Sequence, residues 1–335
     1  MNVQSFSERE QPFLIAEIGS AHEGDFDVAL QMVREAARSG ADAVKFQTYR
    51  ARELVRADLP ALGHVAAKYR FQYERFEALE FSEKQYKELH ALCGELGIHF
   101  LSTPFDEASA DMLAPLVPAF KVASGDVTHH RLLERLASYD KPVFLSTGMA
   151  DAEEIRAALA ILGKERTVLL HCVSLYPTPD RDANLLSIPW LRETFGVAAG
   201  YSDHTVGIEA CVGAAALGAC VIEKHFTLDK TIAFGDHRLA ADPADFLRLA
   251  GWTRRMGLLR GRPGKFSADA GMRGAIRRGA VAAAALKAGD ALTREAVRLV
   301  RPAEGIPASD IASYYGRILQ RDVQEGEVLL PEFFG

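Results

Sequence analysis

Eight short apolar runs in this sequence end in side chains able to do chemistry. In order, the ends are Glu17 and His22; Lys45 and Gln47; Ser102 and Thr103; Lys121 and Ser124; Ser146 and Thr147; His171, Cys172 and Ser174; Ser202, Asp203 and His204; and Glu223, Lys224 and His225. Polar groups are disfavoured at the end of an apolar run unless they find partners, so a polar end on every run points to one shared site. Lys45 and Lys121, with hydroxyls at Thr103, Ser124, Ser146 and Ser174, suit a doubly charged phosphate or carboxylate. Ammonium groups supply the charge and hydroxyls the donors. Each lysine taken singly reads as well as a surface charge or a structural salt bridge. His204 and His225 close the last two runs, and two imidazoles on adjacent strand tips can share one divalent cation with room left for water and substrate. Asp203 and Glu223 are then expected to orient the rings. Two ligands leave the metal open among manganese, cobalt, iron and zinc.

His22, His99, His129, His130 and His237 lack comparable pairing and read as structural or surface residues, while His171 stays ambiguous. Cys172 is expected to be a core thiol, because the sequence places no activating base beside it.

The runs themselves have strand character: Phe13–Ile18, Ala43–Gln47, Ile98–Ser102, Ala119–Ala123, Pro142–Ser146, Val168–His171, Val197–Tyr201 and Cys220–Lys224. Between them lie stretches such as Val28–Arg38, Glu83–Leu96 and Glu153–Leu162, with apolar residues at helical spacing. Ser82 and Asp151 occupy N-cap positions, and Gly97 and Gly163 stand just past helix ends. Strand–helix alternation implies a parallel sheet, since parallel neighbours need a crossover. Eight units in about 250 residues is the count of an α/β (β/α)₈ TIM barrel, whose active site forms at the C-terminal strand ends. The rival is an open doubly wound sheet, but no G-x-G-x-x-G follows the first strand and no G-x-x-x-x-G-K-[ST] occurs. The stretch Tyr49–Glu80 exceeds the usual βα loop of about 2–6 residues. It reads as a lid or, the favoured expectation, as core packing by Tyr69, Phe71, Tyr73 and Phe76.

Past Leu259 the alternation stops. Arg260–Ala275, rich in Gly, Arg and Pro, reads as a linker. The short apolar pieces after it predict a small, mostly β module that leans on the barrel or on a partner subunit. The domains expected are thus 1–259 (barrel), 260–275 (linker) and 276–335 (module). With 39 Lys+Arg against 45 Asp+Glu among 335 residues, the formal charge is −6, which offers no footprint for nucleic acid or an anionic membrane. Four cysteines (Cys93, Cys172, Cys211, Cys220) are too few and too irregular for a disulfide scaffold or a CxxC metal knuckle. MNVQSFSEREQPF has no apolar core for a signal peptide. The most apolar run, Ala210–Ile222, is broken by two glycines and falls short of the ~18 residues of a membrane helix. A soluble, cytoplasmic protein is expected, with neither nucleic acid nor membrane as partner.

The ordered series IAEIGSAHEG, DAVKFQTY, FLSTPFD, FKVASGD, FLSTGM, LLHCVSLYPTP, GYSDHT and EKHFTLD resembles the sialic acid synthase family. The tail from Arg278 is similar to the antifreeze-like (SAF) domain that these synthases carry, so the likeness covers nearly the whole chain. It implies a TIM barrel followed by a C-terminal SAF domain. It also implies a transferase that condenses phosphoenolpyruvate with an N-acetylated hexosamine, either N-acetylmannosamine or a diacetamido-trideoxyhexose, to give a nonulosonic acid and phosphate.

Carried over by position, the resemblance implies His204 and His225 as ligands of a divalent metal, Mn²⁺ first, with Mg²⁺ or Co²⁺ as alternatives. It implies Lys45, Thr103, Lys121, Ser124, Ser146, Ser174 and Ser202 as phosphoenolpyruvate contacts, Glu17 as the catalytic carboxylate, and Gln47, Tyr176 and Asp236 as grips on the sugar. Arg301 matches an arginine that the SAF domain of a second subunit places over the sugar, which implies a domain-exchanged homodimer.

Departures from the family pattern gather on the sugar side. Ala21 stands for the usual Asn, Phe234-Gly235-Asp236-His237 for Gly-Pro-Asp-His, and Ala240 for a Ser. A nonulosonate other than N-acetylneuraminate, such as a legionaminate-type product, therefore enters consideration. Three alternatives stay open: a related phosphoenolpyruvate aldol synthase using a different or phosphorylated aldose, which would want a further cationic pocket; a metal hydrolase or lyase on the same barrel; and a non-catalytic sugar-binding relative.

Overall fold

The computed structural model, which describes residues 3, 6, 9, 11–61, 63–261, 264 and 268–335, turns each of the eight apolar runs into a strand. These are β1 (Phe13–Glu17), β2 (Ala43–Thr48), β3 (His99–Pro104), β4 (Phe120–Val122), β5 (Val143–Ser146), β6 (Thr167–Cys172), β7 (Ala198–Asp203) and β8 (Val221–His225). All pair in parallel, in the order β3-β2-β1-β8-β7-β6-β5-β4. β3 lies alongside β4, so the sheet curls into a nearly closed TIM-like barrel, as expected. Every boundary falls within two residues of its expected place. The chain divides into two units, Met1–Gly261 with the barrel and Arg262–Gly335.

Side chains alternate across a strand, and both faces of this sheet are covered, which is why its strands read as nearly continuous apolar runs. Inward, Phe13, Ile15, Ala43, Leu101, Ala119, Phe144, Val168, Leu170 and Val221 form one buried cluster. Outward, residues such as Leu14, Val44, Phe100, Leu145, Leu169 and Ile222 join the larger core under the helices. Further along each strand the inward series continues as Glu17, Lys45, Thr103, Lys121, Ser146, Cys172, Ser202 and Glu223, all lining one cavity. The polar ends thus form a layer on an apolar plug.

The helices begin where the caps predict. Asp25 accepts from two backbone N–H groups of helix Phe26–Arg38, Ser82 caps Glu83–Leu96, and Asp151 caps Ala152–Leu162. Gly97 ends the second of these at φ 72°, a left-handed turn that costs glycine little.

The excursion between β2 and helix Glu83–Leu96 contains a helical turn, Ala51–Leu54, and a helix, Gln72–Leu79. Glu80 draws its two ends together, accepting from Arg50 Nη1 at 2.9 Å and from the Ala51 N–H at 2.6 Å. Tyr69, Phe71, Tyr73 and Phe76 are only half-buried, which corrects the expectation of core packing. Phe76 meets the buried Tyr49 edge-on at 5.3 Å and forms part of the cavity wall.

In the second unit, β9 (Gly279–Ala282) pairs antiparallel with β10 (Val297–Val300). Further pairing is by isolated bridges around Ala280, Leu292, Ile306, Leu319 and Phe333. Helix Pro243–Arg260 and a helical turn at Arg273–Ile276 take up both ends of the stretch read as linker. Its residues 262, 263 and 265–267 lie outside the described residues, as do 1, 2, 4, 5, 7, 8 and 10 of the segment judged to lack a signal peptide. Among the described residues no helix is long and apolar enough to cross a membrane.

One buried ion pair joins β7 to β8 on the helix side. Lys224 Nζ lies 2.7 Å from Asp203 Oδ2 and donates to the Thr205 carbonyl at 2.6 Å. Asp203 also accepts from Tyr201 Oη and the Thr205 N–H, each at 2.9 Å. Burial disfavours the Asp203 charge, but Lys224 and these donors outweigh it and hold the carboxyl below its usual range. Removing one partner of such a pair leaves the other charged, buried and unpaired. Lys224→Met should therefore lower unfolding stability by about 3–5 kcal/mol in urea denaturation, and a loss under 1 kcal/mol would show the pair to be dispensable.

Candidate active site

Register brings the inward charges to one level. Glu17 stands opposite Lys45 across β1 and β2, and Glu223 opposite Ser202 across β8 and β7. Lys45 Nζ lies 2.6 Å from Glu17 Oε2 and 3.7 Å from Glu223 Oε1, and donates to Thr103 Oγ1 at 3.0 Å. Lys121 Nζ is 3.8 Å from the same Glu223 oxygen. All four side chains are buried. The lysines converge, and they are at once salt-bridged and cavity-lining.

Burial pushes the Glu17 carboxyl up to about 7 against the pull of Lys45. Burial acts the same way on Glu223, but there Lys121 and Lys45 prevail and hold it below the usual carboxylate range. Lys45 is held above its ordinary value because Glu17 and Glu223 outweigh its burial, whereas burial wins at Lys121 and lowers it. Two positive charges thus face two carboxyls, of which Glu17 is the one that changes charge near neutral pH.

Hydroxyls complete the anion side of a cavity of about 520 Å³. Ser124 Oγ accepts from the Gly148 N–H at 3.0 Å. Ser146 Oγ is buried without a hydrogen-bond partner among the described residues and lines the cavity with Ser174 and Thr103. A β-carbon on Gly148 would stand 2.5 Å from Ser174 Oγ and 2.8 Å from Ser124 Oγ. A side chain at this position would have to push these two hydroxyls aside.

His204 and His225 face each other with ring centroids 5.4 Å apart, and Tyr176 packs on His204 at 4.0 Å. His204 Nδ1 lies 2.8 Å from the Val173 carbonyl. A carbonyl only accepts, so Nδ1 bears the proton and Nε2 keeps its lone pair. Burial and the nearby His204 hold His225 well below the usual imidazole range, which keeps it in the neutral form that binds metals. At His204 burial is outweighed by Cys172 and the Val173 carbonyl, and its pKa rises. Among the described residues no group of three His, Cys, Asp or Glu converges to hold a metal. Two imidazoles fit a cation that takes its other ligands from water and substrate.

Neither acidic neighbour orients a ring. Asp203 precedes His204 by one residue, so it points to the opposite face and binds Lys224 instead. Glu223, two residues before His225, faces inward but accepts from Ser202 Oγ at 3.0 Å and meets the lysines. Cys172 is no plain core thiol either. It lines the cavity, with Sγ 3.8 Å from His204 Nδ1, and although burial acts upward, His204 and Ser124 bring its pKa down. His171 turns away from the cavity and bonds the Ala183 carbonyl at 2.8 Å.

Of the residues that the resemblance assigns to a sugar, Gln47 Nε2 donates to Glu17 Oε1 at 3.3 Å, and Tyr176 and Asp236 line the same cavity. Arg301 follows β10 in the second unit and is exposed. Ala21 and Ala240 are buried and are not among the lining residues. The sequence reading missed Ser20, Leu54, Arg75, Phe76, Phe105 and Met149, which also line the cavity. They come from loops and the β2 excursion, where no periodicity marks which side faces in.

The sequence profile of the NeuB family matches residues 32–265. The chain belongs to the NeuB family. A SAF domain matches residues 277–334. The chain is similar to the N,N'-diacetyllegionaminic acid synthase of Legionella pneumophila, with 38% identity over 333 residues, covering 96% of this chain and 94% of that one. It is also similar to the N-acetylneuraminate-9-phosphate synthase of Mus musculus, with 34% identity over 333 residues, covering 96% and 92%. Among solved structures, the N-acetylneuraminic acid synthetase of Leptospira borgpetersenii in complex with citrate aligns with a TM-score of 0.71 at 36% identity, covering 79% of this chain and 90% of that one. This NeuB-family protein is an enzyme of the synthase kind.

The close approach at Gly148 gives a direct test of the anion side. Gly148→Ala should weaken binding of phosphoenolpyruvate, used as the anion in calorimetric titration, by about tenfold through displaced Ser124 and Ser174 donors. Equal affinity in the two proteins would show that these hydroxyls do not hold the anion.

Proposed function

We propose that the enzyme joins phosphoenolpyruvate to the open-chain form of an N-acetylated hexosamine, N-acetylmannosamine or a diacetamido-trideoxyhexose, with water entering and phosphate leaving. The observation that carries this reading is the convergence, in one cavity, of a two-lysine, multi-hydroxyl anion cradle with a facing pair of imidazoles. A hydrolase or lyase built on the cation site would not call for a cavity-lining, two-lysine anion cradle beside it.

Lys45, Lys121, Thr103, Ser124, Ser146, Ser174 and Ser202 hold the phosphate and carboxylate of phosphoenolpyruvate and aim its methylene carbon at the sugar aldehyde. His204 and His225 would hold a divalent cation, Mn²⁺ in this reading with Mg²⁺ or Co²⁺ as substitutes, and when bound it supplies Lewis acidity at the aldehyde oxygen. The carbon–carbon bond forms from the enol π electrons, leaving the former enol carbon electron-poor. Water adds there, and Glu17 takes its proton and returns it to the alkoxide formed from the aldehyde oxygen. The tetrahedral carbon then expels phosphate by carbon–oxygen cleavage as its new hydroxyl becomes the ketone and its proton leaves with the phosphate. Gln47, Tyr176 and Asp236 grip the sugar. Arg301 covers it from a second copy, in a homodimer that exchanges its SAF domains. Four unpaired thiols fit a cytoplasmic, reducing setting.

The decisive assay is phosphate release from phosphoenolpyruvate with Mn²⁺ across a panel of aldoses; no release with any acceptor would reject the reaction. His204→Ala and His225→Ala should each cut turnover about a thousandfold, the rate equivalent of several kcal/mol of lost charge stabilisation. Near-normal phosphate release by both would reject the metal pair. Glu17 must be ionised to accept a proton, so kcat/KM should be full well above its raised pKa of about 7, half-maximal near that value, and fall further on acidification. Glu17→Gln should remove that limb and leave low activity at every pH; a limb retained in Glu17→Gln would assign the proton transfer elsewhere.

A further inference from the structure

The cavity wall carries one cation that the proposed reaction does not use. Arg75, on helix Gln72–Leu79, lines the cavity. Its Nη2 donates to Ser20 Oγ at 3.3 Å, while its Nε is buried with no hydrogen-bond partner among the described residues. No carboxylate among them forms an ion pair with it. The rings of Phe76 and Phe234 each stand with their centres 5.8 Å from its guanidinium carbon. A buried, unpaired N–H donor is costly to leave unmade, and here it adjoins a space lined by residues assigned to the sugar.

We propose that Arg75, Phe76 and Phe234 form a subsite for an acetamido group of the acceptor, a reading that rests on the condensation proposed above. An acetamido group carries both features the subsite asks for. Its carbonyl oxygen accepts from the guanidinium, and its methyl packs on the aromatic rings. A phosphate ester fits the surroundings less well. Asp236 lines the same cavity, and the position of a β-carbon on Gly235 would be only 3.6 Å from Glu23 Oε1. The other nearby cation, Lys68, 5.3 Å from the Phe234 ring centre, is engaged with Glu23 at 3.4 Å. One guanidinium among carboxylates suits a neutral carbonyl better than a dianion, which calls for several donors and cations. Phe234 is also where the sequence departs from its family pattern, and that departure lies beside the Arg75 guanidinium.

The test compares full-length wild type, Arg75→Ala and Arg75→Lys by steady-state phosphate release. Acceptors are a 2,4-diacetamido-2,4,6-trideoxyhexose, its two monoacetamido analogues, and N-acetylmannosamine 6-phosphate. Arg75→Ala should raise the KM for the diacetamido sugar about tenfold or more and leave the KM for phosphoenolpyruvate unchanged, which also reports an intact fold. The analogue lacking the acetamido group read by Arg75 should show less than about a twofold effect, because that contact is already gone. Arg75→Lys should recover little, since an ammonium lacks the fixed fork of donors. An equal penalty on every acceptor, or none, would overturn the subsite and leave the reaction standing. A penalty greatest for the 6-phosphate would overturn it in favour of a phosphate site. Absence of phosphate release by wild type with all acceptors would overturn the reaction and the subsite together.

Discussion

Burying a charge is tolerable only beside an opposite one, and four buried charges at the barrel mouth meet that condition through one another. Glu223 stands between Lys45 and Lys121, and Lys45 pairs in turn with Glu17, each of the four delivered by a different strand. The cluster cannot form unless β1, β2, β4 and β8 hold their register, since a slip of one residue would turn every one of these side chains to the helix face. The same register that fills the plug below with Phe13, Ile15 and Phe144 therefore also assembles the site. An incoming anion meets lysines that are already partnered, and Glu17, with its raised pKa, is the carboxyl whose charge yields most readily.

The outer face of the same strands holds a second constraint. Asp203 and Lys224 lie one residue before His204 and His225, and their ion pair ties together the tips that carry both imidazoles. Alternation thus divides labour along β7 and β8. Outward residues fix the distance between the strands, and inward residues present the chemistry.

The rest of the cavity wall comes from a different kind of element. Relatives that align with nearly the whole of this chain carry names with different sugars, while the lysines, most of the hydroxyls and the histidines of the cavity sit at strand ends fixed by the register. The wall contributed by the β2 excursion and the loop around Phe234 (Leu54, Arg75, Phe76) can vary without disturbing the register, as loops on a barrel scaffold generally do.

The strand count, the helix caps at Asp25, Ser82 and Asp151, and the polar strand ends are legible in the chain because each depends on spacing over a few residues. The family motifs are local in the same way, and the positions they mark in the first unit do line one cavity. Other features depend on which face a residue presents and what lies across from it. Asp203 and Glu223 look equivalent beside their histidines, yet one faces helices and the other faces lysines. Cys172 comes to rest against His204 only because β6 and β7 are neighbours. Arg75 reaches the cavity through an excursion with no period to reveal its direction. Local spacing settled which residues could act. Only closure of the barrel, which brings together groups far apart along the chain, decided which of them meet.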